Sequence, residues 1–292
     1  MKEEDKTALE YAASHEETLV LNSVDKDLIC ADKVQINSNL PQNTKIEANR
    51  SVVINGNVAE GCSISCTTGP IVIKGNVSGS VDRPVTITSK QYLKVESLRH
   101  AIVKTEGPMT VMGDVIDSKV NVKETIEIRG SLIRSDATSN SRMTIRICGS
   151  EDPGMTKMAV MPAEILKLLQ ELLKSDTKIE ELTKLKGALQ NTIELLKKLR
   201  TDSGSLPHDK HEQLVTDVAR FSDLTGELKT LGEKKRELVQ EIVQLLGLKW
   251  ITVEGRVFPT SVVSIANRSH DIRTIENRLR FSVKNNVIEI DL

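Results

Sequence analysis

Aromatic side chains are nearly missing from this chain: its 292 residues include one Trp, two Tyr and three Phe, 2% in all. That scarcity argues against a conventional core of large rings, so Val, Ile and Leu must supply the packing. It also argues against nucleic-acid binding through stacked bases, which needs aromatic platforms. An excess of one charge is lacking too. Forty basic residues against 41 acidic ones leave a formal net charge of −1, and no overall field draws the chain to nucleic acid or anionic lipid. No apolar run approaches the roughly 20 residues that span a bilayer, and the polar segment 1–18 lacks the apolar stretch of a secretory signal. A soluble, cytoplasmic protein without a membrane span is expected. Cysteine is sparse: Cys30, Cys62, Cys66 and Cys148. Residues four apart on a strand lie about 13 Å from each other, so Cys62 and Cys66 are beyond disulfide reach. A Cys-x3-Cys without a second ligand pair is a weak zinc signature, and these thiols read as small packing residues.

What is present is a repeat. Six β-like runs recur, carrying Ile54, Ile73, Val95, Val111, Ile128 and Ile145 at one phase, with steps of 19, 22, 16, 17 and 17 residues. A near-constant period of this size predicts a stacked solenoid. Alternation in Val34-Gln35-Ile36 and Ile126-Glu127-Ile128 predicts strands with one side chain inward and the next outward. Weaker runs between the main ones, such as Val85-Thr86-Ile87 and Val120-Asn121-Val122, give each turn two or three short strands. Gly56, Gly75, Gly113 and Gly130 share one phase, which predicts a corner needing either positive φ or close backbone approach.

Near residues 149–154 the pattern breaks into turn chemistry, and the β-helix is expected over 19–154. The period then becomes a heptad. Ile165, Leu168, Leu172, Ile179, Leu182, Leu189, Ile193 and Leu196 hold an a/d phase interrupted by Ser175 and Lys186. After a breaker at residues 201–207, a second seam follows at Leu214, Phe221, Leu224, Leu228, Leu231, Leu238, Ile242 and Leu245, interrupted by Asp217 and Lys235. Two helices, each about 58 Å long at 1.5 Å per residue, joined by a short loop predict an antiparallel coiled-coil hairpin over 160–247. Such a hairpin returns the chain to its starting point. The β motif does return, with its glycine, at Trp250-Ile251-Thr252-Val253-Glu254-Gly255-Arg256-Val257. A C-terminal β segment, 249–292, is expected to complete the β-helix. The fold class is therefore mainly β with an α insertion.

This order of parts resembles the flagellar assembly protein A family. The resemblance is carried by the apolar-x-apolar-x-Gly-x-Val rungs, the exit Thr144-Ile145-Arg146-Ile147-Cys148-Gly149-Ser150-Glu151-Asp152-Pro153, the helical hairpin, and the re-entry Val253-Glu254-Gly255-Arg256-Val257-Phe258-Pro259, across roughly residues 50–292. Members usually carry Gly after the re-entry proline, where this chain has Thr260. The resemblance implies a right-handed parallel β-helix bearing a coiled-coil arm. It also implies a non-enzymatic scaffold or adaptor whose protein partners belong to flagellar or cell-pole assembly.

Candidate sites are few. His208 and His211 lie three apart at a helix start, where a metal ion could share one face; capping by Asp209 with both histidines solvated is the simpler reading. His100 is the one histidine of the repeat region, and a β-helix acyltransferase would use it as general base. The acidic residues Asp114, Asp117, Glu124 and Glu127 are scattered, unlike the clustered carboxylates of carbohydrate-active β-helices. Arg268, Arg273, Arg278 and Arg280 form a basic C-terminal stretch that reads as a partner-docking patch or a solvated strand face. No cofactor and no bound metal are expected. A polymerising, bactofilin-like β-helix is a third reading, and self-association stays open.

Overall fold

A computed structural model of the chain describes residues 18–24, 27–30, 32–266, 268–284 and 287–291. The polar segment 1–18, apart from Thr18, lies outside the described residues, as does Asn286 of the last expected strand. The chain divides into two compact units: Met1–Ala163 together with Leu246–Leu292, and Glu164–Leu245.

The first unit is a β-solenoid. In chain order its strands are β1 (Thr18–Leu21), β2 (Leu28–Cys30), β3 (Lys33–Ile36), β4 (Lys45–Ala48), β5 (Ser51–Ile54), β6 (Ser63–Cys66), β7 (Ile71–Ser78), β8 (Val85–Ser89), β9 (Leu93–Arg99), β10 (Ala101–Thr105), β11 (Met109–Val111), β12 (Val115–Ile116), β13 (Lys119–Val122), β14 (Ile126–Ile133), β15 (Asp136–Ser139), β16 (Arg142–Cys148) and β17 (Thr156–Val160). The helices α1 (Ala163–Ser203) and α2 (His208–Gly247) follow, and then β18 (Trp250–Val257), β19 (Ser261–Ile265), β20 (Arg268–Asp271), β21 (Glu276–Lys284) and β22 (Val287–Asp291). Each turn contributes to both a 12-stranded sheet, β1-β3-β5-β7-β9-β11-β14-β16-β18-β21-β22 with β12 beside β9 and β14, and a 10-stranded sheet, β2-β4-β6-β8-β10-β13-β15-β17-β19-β20.

Apolar columns hold the turns together. Ile54, Ile73, Val95, Val111, Ile128 and Ile145 stack in register, each paired with the next, and Ile145 pairs on with Val253. A second column runs Leu40, Val58, Val77, Leu98, Val115, Leu132, Cys148 and Val257, every member buried. Alternation along each strand sends the residues between these columns outward. The long step of 22 residues has a local cause: residues 79–84 form a wide connection between β7 and β8, with Val81 exposed.

The solenoid reaches further before the helices than residue 154. After the turn at residues 149–154, β17 adds a strand parallel to β15, because Thr156, Met158 and Val160 still alternate inward. Across the helical insertion the stacking continues: β18 lies parallel on β16, and β19 parallel on β17. The expectation that all later strands continue this winding needs correction. β20 is antiparallel to β19, β21 to β18, and β22 to β21. The last turn would otherwise offer two open parallel edges and an uncovered core. Antiparallel strands cover both edges, and Phe281, the largest fully buried side chain, sits opposite Ile251.

The second unit is a helical pair. Its least exposed residues fall at the heptad positions: Leu168, Leu172, Ser175, Ile179, Leu182, Lys186, Leu189, Ile193 and Leu196 on α1, and Leu214, Asp217, Phe221, Leu224, Leu228, Leu231, Lys235 and Leu238 on α2. Two of the four polar interruptions, Lys186 and Lys235, find partners on the other helix: Lys186 Nζ lies 4.9 Å from the centre of the Phe221 ring, and Lys235 pairs with Asp176 at 2.6 Å. Lys178 pairs with Glu227 at 2.6 Å. Ile193, Leu196 and Leu214 form a cluster flanked by Leu206 and Phe221. Gly204, with φ of +73°, ends α1, a conformation that glycine adopts without steric cost.

Candidate functional site

The phase shared by the glycines is a bulge column in the larger sheet. Pairing registers shift between Ile73 and Asn76, between Ile128 and Ser131, and between Val253 and Arg256, so an extra residue bends each strand there. Gly56, Gly75, Gly113, Gly130 and Gly255 all lie on this column. None has a positive φ; the column is set by close approach. A Cβ on Gly75 or Gly130 would fall within 3 Å of the backbone of Gly56 or Gly113, and one on Gly255 would sit 2.7 Å from the Arg146 carbonyl oxygen. The following residue supplies a bond that the bulge would leave unmade. Asn57 N–H donates to Asn39 Oδ1 at 2.7 Å, Asn76 N–H to Asn57 Oδ1 at 2.8 Å, and Ser131 N–H to Asp114 Oδ1 at 2.7 Å.

The positive-φ corner is elsewhere and carries charge. His100 (φ 47°), Asp117 (φ 48°) and Arg134 (φ 46°) stand on successive turns, just ahead of β10, β13 and β15. They line a groove of about 500 Å³ with Ser80, Lys119 and Asp136. Arg134 grips both Asp117 carboxylate oxygens, at 2.8 and 2.9 Å, whereas His100 Nε2 is 3.9 Å from Asp117 Oδ2. His100 is therefore beyond hydrogen-bond distance of the carboxylate that would orient a general base. Inside the same corner, Ala101 N–H donates to Ser118 Oγ at 3.0 Å, and Ser118 N–H to Ser135 Oγ at 2.9 Å.

The bidentate hydrogen bonds from Arg134 hold the Asp117 carboxyl below the usual aspartate range. A depressed native value contributes stability that is present above the unfolded pKa and disappears as pH falls through the native one. Asp117→Asn is therefore expected to cost about 1 kcal/mol at pH 7. The gap to the parent chain's melting temperature should begin to close only below about pH 4, where the unfolded aspartate takes up its proton, and vanish once the native carboxyl is protonated too. A thermal melt series from pH 7 to pH 2.5 measures this.

The remaining sequence candidates are dispersed. His208 and Glu212 approach at 3.4 Å with both side chains largely exposed, and His211 is exposed. Because α2 begins at His208, Asp209 lies within its first turn, not at the capping position. Among the described residues no three His, Cys, Asp or Glu side chains are grouped to hold a metal ion. Cys62, Cys66 and Cys148 are free and buried. Burial raises all three thiols, Cys148 to about 12, so they are poor nucleophiles.

The basic stretch at the C-terminus is spread over both sheets. Arg268 is on β20, Arg273 lies between β20 and β21, and Arg278 and Arg280 are on β21. Arg280 stacks on the Trp250 ring at 4.5 Å, with Arg142 at 4.8 Å, a packing role. Arg278, with φ of 54°, instead lines a groove with Arg146 and Arg256. Sequence reasoning missed these two because the helical insertion separates them.

Together these features define a two-sheet β-solenoid opened by a two-helix insertion, with shallow polar grooves along its faces. The chain belongs to the flagellar assembly protein A family: the model of the Flagellar Assembly Protein A beta solenoid domain matches residues 31–288. No curated protein and no solved structure matches the chain. Among the described residues, no helix is long and apolar enough to cross a membrane.

Proposed function

We propose that the chain is a non-enzymatic, cytoplasmic scaffold or adaptor for flagellar or cell-pole assembly, and that its helical pair is the element that captures a protein partner. The observation that carries this reading is the apolar surface left outside the heptad seam. Leu173, Leu195, Leu199, Val215 and Val243 are each more than half exposed, although their neighbours on the outer faces are mostly charged. Apolar residues on an outer helix face suit helix-in-groove and helix-to-helix recognition, which depends on them. The helices themselves read as an antiparallel coiled coil. As the α1 residue number rises from Asp176 through Lys186 to Leu196, its α2 partner falls from Lys235 through Phe221 to Leu214.

Family membership supports the flagellar setting, and we read the solenoid as right-handed on the same basis. The non-enzymatic reading is supported by the corner at His100, where Arg134 occupies both oxygens of Asp117, the carboxylate 3.9 Å from the imidazole. The antiparallel strands closing the last turn also favour a discrete scaffold over end-to-end polymerisation, since they do not repeat the parallel rung geometry.

Affinity capture from flagellated cells tests the reading with two variants. One replaces Thr183–Asp223 by a short turn; the other carries Leu195→Asp, Leu199→Asp and Val215→Asp in intact helices. Both should keep the solenoid's far-ultraviolet β signal and lose the flagellar protein that the full chain retains. Equal recovery of that protein by all three would overturn the assignment to the helices.

A further inference from the structure

Arg146, Arg256 and Arg278 come from β16, β18 and β21, three neighbouring strands of the larger sheet. They line one groove of about 490 Å³ around Gly255, with Ile147, Glu254 and Asn277. Neighbouring strands are about 4.8 Å apart, so side chains on three in succession fall within about 10 Å. That is about one Debye length at physiological salt, and the charges act together.

Several other arginines of the solenoid are neutralised locally. Arg129 pairs with Glu127 at 2.8 Å, Arg134 with Asp117 at 2.8 Å and Arg50 with Asp32 at 3.2 Å, while Arg142 and Arg280 stack on Trp250. Among the described residues none of the three groove arginines has an ion pair. Glu254 lines the same groove and approaches none of them within ion-pair distance.

The backbone brings these cations together by a specific route. The bulge at Gly255 swings Arg256 opposite Asn277, and Arg278 takes a left-handed φ of 54°. For a residue with a Cβ, that conformation costs about 1 kcal/mol or more, which glycine would have avoided.

We propose that this groove is an oxyanion-binding site that takes a phosphate or carboxylate group. Guanidinium forks match the planar or tetrahedral oxygens of such groups and bind them through paired N–H donors. The oxyanion could be a free ion or a side chain on an acidic segment of a partner, and the test separates the two sources. The proposal goes beyond the scaffold reading and does not depend on it.

The test is isothermal titration calorimetry of the full chain at low salt, with inorganic phosphate in one arm and a hexaglutamate peptide in the other. Binding of phosphate identifies a free-ion site, and binding of hexaglutamate alone identifies an acidic-segment site. In either case Arg146→Gln/Arg256→Gln/Arg278→Gln should weaken binding at least tenfold, and Arg50→Gln, several strands away, should leave it unchanged. Arg278→Gly, which suits the left-handed backbone and cannot be dismissed as misfolded, should weaken it at least threefold. The proposal is overturned if neither probe binds, if the triple variant or Arg278→Gly binds like the parent, or if Arg50→Gln weakens binding as much as the triple variant.

Discussion

Gly130→Ala is expected to destabilise the solenoid by about 3 kcal/mol, at the upper end of overpacking effects, although it adds a single methyl group. The added Cβ would fall within 3 Å of the backbone carbon and oxygen of Gly113. Backbone atoms cannot swing aside as a side chain can, so either the strands separate or the bulge column breaks. At about 2–4 °C per kcal/mol for a body of this size, the melting temperature should fall by roughly 6–12 °C. Gly187→Ala supplies the opposite sign. Nothing lies within 4 Å of that position on α1, and alanine in a helix interior is favoured over glycine by about 1 kcal/mol. If both substitutions shift the melt equally, close approach is not what selects the glycines of the column.

Phe281→Ala is expected to cost about 3–5 kcal/mol, the range for truncating a buried aromatic. The ring is fully buried and sits opposite Ile251, with Leu279 and Val283 buried on the same strand. A solenoid's stability is close to a sum of contacts between neighbouring turns, so the loss should stay near this end. Hydrogen exchange provides the readout. Amides of β18, β21 and β22 should lose protection while those of β5, β7 and β9 keep theirs. Uniform loss along the solenoid would instead mark a single cooperative unit. Phe281→Leu, which retains most of the volume, should recover more than half of the lost stability.

Much of this architecture was legible because apolar residues repeat wherever turns stack. Ile54, Ile73, Val95, Val111, Ile128 and Ile145 could be aligned by counting, and they pair in that register. The heptad seams were legible for the same reason, including Lys186 and Lys235 as interruptions. Strand direction was not. The alternation of Leu279-Arg280-Phe281-Ser282-Val283 is the same whether the strand runs parallel or antiparallel to its neighbour, so the closing strands read as further rungs. β17 was hidden behind the turn at residues 149–154, whose Pro and Gly resemble a terminus. The corner of His100, Asp117 and Arg134 went unseen because charged residues with positive φ leave no apolar trace. Their spacing of 17 residues matches the neighbouring turns, and extending the period to polar positions would have joined them. The groove of Arg146, Arg256 and Arg278 needed the register across the insertion, which only the pairing of β16 with β18 supplies.

The central functional claim is that surfaces, and the helical pair above all, carry the role, and not a catalytic histidine. Counting flagella on cells whose only copy of the protein is His100→Ala or the Thr183–Asp223 deletion tests it most directly, with protein levels matched by immunoblot. The account predicts parental flagellation with His100→Ala and few or no flagella with the deletion. Loss of flagella with His100→Ala, or full flagellation with the deletion, would contradict it.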